Sequence, residues 1–143
     1  MVEVREVKVA DKINLSAVNE LLPQLSKSSK PMKLYNLDNL VKSNSTFIYF
    51  AFNEKEVVGM LSLVVVRIPT GTKVWIEDVV VDENSRGKGI GRSLMNHALE
   101  EAGNLSAKCV DLTSRPNRVA ANRLYQSIGF KKRETNIYRF DLS

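Results

Sequence analysis

The segment Arg86-Gly87-Lys88-Gly89-Ile90-Gly91-Arg92 sets three glycines among three cations. An apolar run ending at Val81 precedes it, and an amphipathic pattern through Leu94, Met95, Ala98, Leu99 and Ala102 follows it. A helix that starts here offers free backbone N–H groups and a partial positive charge. Glycine removes the Cβ atom, so phosphate oxygens can approach that backbone closely. Arg86, Lys88 and Arg92 add formal charge, and the segment reads as a pyrophosphate cradle. Taken alone, a glycine cluster is equally a turn that binds nothing. Two familiar phosphate motifs fit worse. No G-x-x-x-x-G-K-[ST] string is present. The order G-x-G-x-G is too short for a dinucleotide G-x-G-x-x-G, and several strand-like runs already precede it.

A second chemical feature lies just upstream. Glu77 and Asp78 interrupt a strand otherwise made of Val, Ile and Trp. Neighbouring strand residues point to opposite faces, so Glu77 is expected to share a face with Trp75, Val79 and Val81. A carboxylate in such a strand is costly unless it is paired or used. The plainer reading makes both structural hydrogen-bond acceptors. His97, the single histidine, falls on a helical pattern and reads as a surface or packing residue. Cys109 reads as a small buried hydrophobe. Thr113, Ser114 and Arg115 follow a strand and could touch a ligand or merely form a loop. No His, Cys or carboxylate spacing suggests a metal.

These residues need elements to position them. Val2 to Val9 alternates as a strand does. Asp11 can cap a helix carrying Val18, Leu21, Leu22 and Leu25, which Pro23 should kink or shorten. After a polar loop from Ser26 to Pro31, a second helix carries Leu34, Leu37, Leu40 and Val41. Thr46 to Phe52 and Val57 to Ile68 form a hairpin across Asn53-Glu54-Lys55-Glu56. A turn at Pro69-Thr70-Gly71-Thr72 leads to a strand from Lys73 to Val81. A helix from Gly89 to Gly103, a strand from Cys109 to Thr113 and a helix from Arg118 to Ile128, stopped by Gly129, come next. Strand material around Lys131 to Arg133 and Ile137 to Leu142 closes the chain. This order predicts an α/β (α+β) fold, a single domain over residues 1–143 with one central mixed sheet.

The 143 residues suit one domain. One cysteine excludes a disulfide framework and a cysteine zinc site. The N-terminal stretch lacks the apolar core of a signal peptide, and no run is long enough to cross a membrane. A cytoplasmic setting is expected, with no membrane partner. The net charge of +5 raises nucleic acid as a partner. The cations are scattered rather than gathered with aromatics, so a polyanionic small ligand is preferred and nucleic acid is not expected.

Read together, WIEDVVVDENSRGKGIGRSLM resembles the central motif of the GNAT superfamily of N-acetyltransferases, [RQ]-x-x-G-x-[GA] after an apolar strand, through Arg86, Gly89 and Gly91. AANRLYQSIGF resembles the family's second motif, A-x-x-L-Y-x-x-x-G-F, through Ala121, Leu124, Tyr125, Gly129 and Phe130. Many members carry Asn three residues before that alanine, where this chain has Arg118. Asn122 is the better-placed contact here.

The resemblance implies a splayed sheet and acetyl-CoA as cosubstrate, without a metal. The backbone of Val79, Val80 and Val81 would hold the pantetheine arm. The stretch Arg86, Gly87, Lys88, Gly89, Ile90, Gly91 and Arg92 would take the pyrophosphate, and Asn122 would add a side-chain contact. Tyr125 aligns with the family's tyrosine facing the coenzyme A sulfur and would be the general acid. Glu77 would be the general base, directly or through water, with Asp78 as the fallback. The acceptor would be a small-molecule or peptide amine. A basic cleft from Ser26 to Tyr35 would suit an acidic acceptor, whereas Glu77, Asp78 and Asp111 would suit a polyamine or aminoglycoside. Tyr49 and Trp75 are candidates to line the acceptor side. A homodimer and a non-catalytic acyl-CoA sensor remain alternatives.

Overall fold

The structure, a computed structural model, describes residues 2–143. Between Thr113 and Ser114 the chain divides into two compact units. The first contains β1 (Val2–Glu6), α1 (Lys12–Leu25), α2 (Leu34–Lys42), β2 (Thr46–Asn53), β3 (Glu56–Ile68), β4 (Gly71–Val81), a 3₁₀ turn (Glu83–Ser85), α3 (Ile90–Asn104) and β5 (Val110–Asp111). The second contains α4 (Val119–Ile128). The strands form one mixed sheet in sequence order, antiparallel from β1 to β4 and parallel between β4 and β5. The expected α/β architecture is therefore present.

Local chemistry explains the elements. Asp11 caps α1 by accepting from the Asn14 backbone N–H at 2.8 Å. The β2–β3 hairpin pairs Asn53 with Glu56, and Glu54 takes the left-handed conformation such a tight turn needs. β3 is long enough to span the sheet and pairs with both neighbours over most of its length.

The two faces of the sheet are covered differently. α1 and α2 pack on one face, where Val18, Leu21 and Leu37 meet Ile48, Phe50, Met60 and Val80. α3 packs on the other, contributing Ile90, Leu94, Met95, Ala98 and Ala102. Gly59 lets α3 come close: a Cβ there would stand 3.1 Å from side-chain atoms of both Ile90 and Leu94. Burying side chains of this size stabilises the fold by about 1.5–3 kcal/mol each.

In the second unit α4 ends at Gly129, whose φ of 126° suits glycine. The Phe130 N–H donates to the Tyr125 carbonyl at 3.0 Å, and the two rings meet edge to face at 6.1 Å.

Several expectations need correction. Pro23 does not shorten α1, which runs on to Leu25. Pro23 forgoes one bond, back to the Asn19 carbonyl, and α1 continues for only two residues beyond it. The strand expected at Cys109–Thr113 is reduced to Val110–Asp111, and Cys109 is exposed rather than buried. No strand forms after Gly129 among the described residues. Tyr138 and Phe140 are 87% and 88% exposed. Alternation gives a strand a face, but a ladder also requires a neighbouring strand. No helix among the described residues is long and apolar enough to cross a membrane.

Candidate active site

The centre of the site is a distortion in β4. Met60 pairs with Val80 and Ser62 with Glu77, so Leu61 alone opposes both Asp78 and Val79. This is a β-bulge, and Asp78 occupies its left-handed position with φ of 51°. Aspartate tolerates that region better than the β-branched residues around it.

The extra residue resets the alternation. Val80, not Val79 or Val81, falls on the α1/α2 side with Trp75 and Glu77, since Val80 belongs to the core there. The expected common face of Glu77, Val79 and Val81 is therefore wrong. Both Glu77 and Asp78 are exposed, which removes the desolvation cost that a straight apolar strand implied. Neither makes an ion pair among the described residues.

β4 and β5 pair only through Val74–Val110 and Trp75–Asp111. From Glu77 to Val81 the outer edge of β4 has no strand beside it among the described residues. That open edge is the splay expected of the sheet. It leaves backbone hydrogen-bonding groups available to an extended ligand, as in strand addition.

The loop below it is pinned from α1. Gln24 donates from Nε2 to Asp82 Oδ1 at 2.9 Å and accepts at Oε1 from the Glu83 N–H at 2.8 Å. A second amide, Asn19, holds the α1–α2 loop by accepting from the Met32 N–H at 2.7 Å and donating to its carbonyl at 3.0 Å. Neither amide stands out in the sequence. A polar residue in the last turn of an amphipathic helix is the only hint of Gln24.

After the 3₁₀ turn, Gly87 and Gly89 have φ of 80° and 77°, and a Cβ on either would meet nothing within 4 Å. The first backbone bond of α3 runs from the Ser93 N–H to the Gly89 carbonyl at 3.0 Å. The N–H groups of Gly87, Lys88, Gly89, Ile90 and Gly91 donate to no described residue. Gly89 caps α3 with no side-chain bond. Ile90 is buried and anchors the helix start, while Arg86 and Lys88 are exposed and Arg86 Nε reaches the Val81 carbonyl at 3.4 Å. Open space, free donors and cations fit a pyrophosphate.

Tyr125 lies in the second unit and is 6% exposed. Burial pushes its phenol above the ordinary tyrosine value, and the Arg118 charge opposes this only in part. Asn122 donates from Nδ2 to the Arg115 carbonyl at 3.0 Å, so its amide braces the loop before α4. Ser114 Oγ is buried and has no hydrogen-bond partner among the described residues.

Tyr49 does not line the side of Trp75. It is buried on the α3 face, edge-on to His97 at 4.8 Å, because its register partner Leu61 faces α3. Trp75 does lie on the α1/α2 side, half-buried. No group of three or more His, Cys, Asp or Glu among the described residues could hold a metal ion.

The chain is similar to known acetyltransferases. A spermine/spermidine N(1)-acetyltransferase of Bacillus subtilis (strain 168) is 32% identical over 60 residues, covering 41% of this chain and 40% of that protein. The chain thus spans less than half of that curated relative. An acetyltransferase from Trypanosoma brucei superposes with a TM-score of 0.80 at 26% identity, over 99% of this chain and 100% of that one. An aminoglycoside acetyltransferase from an uncultured soil sample, in complex with sisomicin, has the same fold, with a TM-score of 0.89 at 17% identity over 99% and 97% of the two chains. The model of the acetyltransferase (GNAT) family matches residues 15–130, across both units, and the chain belongs to that family.

Proposed function

We propose that this protein transfers the acetyl group of acetyl-CoA to a primary amine, bound together with it in a ternary complex. The observation that carries the reading is the open outer edge of β4 from Glu77 to Val81, together with the N–H groups of Gly87–Gly91 that donate to no described residue. Family membership over residues 15–130 supports a single acetyltransferase domain spanning residues 1–143.

The residues divide the work. The backbone of Val79, Val80 and Val81 holds the pantetheine arm. Arg86 through Arg92 take the pyrophosphate, and Asn122 braces the loop before α4. The acceptor, an ammonium of pKa about 10.4 in water, first loses a proton. Glu77, or Asp78 on the bulge, receives it directly or through water. The amine nitrogen then bonds to the acetyl carbon and the C–S bond breaks. The leaving sulfur takes a proton from Tyr125. The proton the nitrogen gives up as the amide forms returns to the Tyr125 phenolate through water, leaving a neutral amide and a free thiol. A phenol with a raised pKa stays protonated at neutral pH, as a general acid must. Positioning of the two substrates supplies much of the remaining acceleration.

Thermal unfolding with acetyl-CoA tests the cradle. At about 100 times the dissociation constant, stabilisation should reach ~2.7 kcal/mol, with none from NAD or ATP. Release of free thiol across a panel of amines tests transfer. Tyr125→Phe should lower kcat about 10²- to 10⁴-fold while acetyl-CoA binding persists. An unchanged rate removes Tyr125 as the acid. Binding without thiol release from any amine favours the acyl-CoA sensor.

A further inference from the structure

Trp75 is half-buried on the α1/α2 face of β4 and already has an ammonium on its ring: Lys73 Nζ lies 5.7 Å from the ring centroid. Lys73 stands two residues earlier, on the same side of the strand. The parallel register sets Asp111 directly beside Trp75, and Glu77 follows it on the same face. Adjacent strands lie about 4.8 Å apart and two residues span about 6.8 Å, so both carboxylates flank the indole. Neither carboxylate is engaged by a cation among the described residues, and Lys73 itself makes no ion pair.

We propose that Trp75, with Asp111, forms a subsite for a second ammonium group of the acceptor, next to the Glu77 carboxylate that serves the reacting amine, and that Lys73 occupies the ring until that group displaces it. The identity of the reacting group rests on the acetyl-transfer reading; the subsite itself rests on the ring, its resident ammonium and the two unpaired carboxylates. An aromatic face attracts a cation through its quadrupole, and flanking carboxylates add Coulomb attraction. With Lys73 counted, the patch is net negative by one charge, so a dication suits it better than an anion does. The step from Trp75 to Glu77 matches the length scale of a short diaminoalkane, placing the other amine beside Glu77 and Asp78. The acceptor class is therefore a diamine or polyamine rather than an acidic amine.

Trp75 is the chain's one tryptophan, so its fluorescence reports this subsite without turnover. Titration with 1,4-diaminobutane should change the emission saturably, and butylamine at matched ionic strength should not. In thiol-release assays the kcat/KM ratio of diaminobutane to butylamine should fall about 5- to 30-fold in Trp75→Ala. It should fall less in Trp75→Phe, fall in Asp111→Asn, and rise in Lys73→Met, where the ring is vacated. Identical fluorescence responses to the two amines, or a ratio unmoved in Asp111→Asn and Lys73→Met, overturns the subsite. A saturable diamine response with no thiol release from any amine leaves the subsite standing and overturns acetyl transfer.

Discussion

The two faces of the sheet put the same strand to different uses. On the α3 side, Val74 and Leu63 are 0% exposed and Tyr49 is 4% exposed, under a continuous cover of Ile90, Leu94, Met95 and Ala98. On the α1/α2 side, the core around Ile48, Phe50 and Met60 stops short, and Trp75 and Glu77 reach solvent. β4 serves both, with Val74 and Ile76 buried on one side and Trp75 and Glu77 available on the other. A face packed at crystal-like density fixes a strand in place and so fixes what it presents on its opposite face. Stability and chemistry are thus assigned to alternate residues of one strand.

The sharpest way to break that division is to remove packing from the closed side. Leu94 is fully buried and abuts the position where a Gly59 Cβ would stand. Leu94→Ala should destabilise by about 2–5 kcal/mol, through lost transfer energy and the cavity left behind. Urea unfolding reads this directly. Lys73→Met on the open side should shift the same midpoint by no more than about 0.5 kcal/mol. Comparable losses in the two variants would mean that the faces are not functionally separated.

A smaller effect is expected where β4 hands over to α3. Gly89 has a φ of 77° with open space beside it, so Gly89→Ala introduces backbone strain without a clash. The cost of a left-handed non-glycine residue is about 1–2 kcal/mol. Acetyl-CoA affinity, read by calorimetry, should weaken, because the added methyl occupies the approach to the free N–H groups. Weaker stability with unchanged affinity would make Gly89 a turn residue only and place the pyrophosphate elsewhere.

This division was partly legible in the amino-acid sequence. The strand ending at Val81, the glycine turn and the helix after it are local patterns, and each formed within a residue or two of its expected place. Glu77 and Asp78 were visible as carboxylates, but their exposure depends on a bulge. One inserted residue reverses which of Val79, Val80 and Val81 faces which side, and period-2 alternation cannot reveal it. Tyr49 was misplaced for a related reason: its face is set by pairing with Leu61, a long-range register. Tyr138, Phe140 and Leu142 alternate with polar residues as in a strand, yet alternation does not supply a neighbour. Local propensity was readable; register, bulges and strand pairing depend on distant residues.

The subtlest test concerns pH on the closed face. The Tyr49 phenol is pushed above the usual tyrosine value chiefly by burial, and then by the Glu101 and Glu6 carboxylates. The folded state therefore favours the protonated phenol more than the unfolded chain does. Its contribution is fully present below the unfolded value of about 10 and is lost as pH rises toward the folded value. One such group gives a slope of at most about 1.4 kcal/mol per pH unit. Tyr49→Phe should leave stability near its original value at pH 7, since no described residue hydrogen-bonds the hydroxyl. Between pH 10 and 11 the variant should lose less stability than the parent, as measured by urea unfolding across that range. Tyr125 is raised in the same direction by its own burial, so the variant's curve should flatten without becoming level. Parallel curves would show that the packing around Tyr49 does not penalise its phenolate, and burial would then not be what raises its pKa.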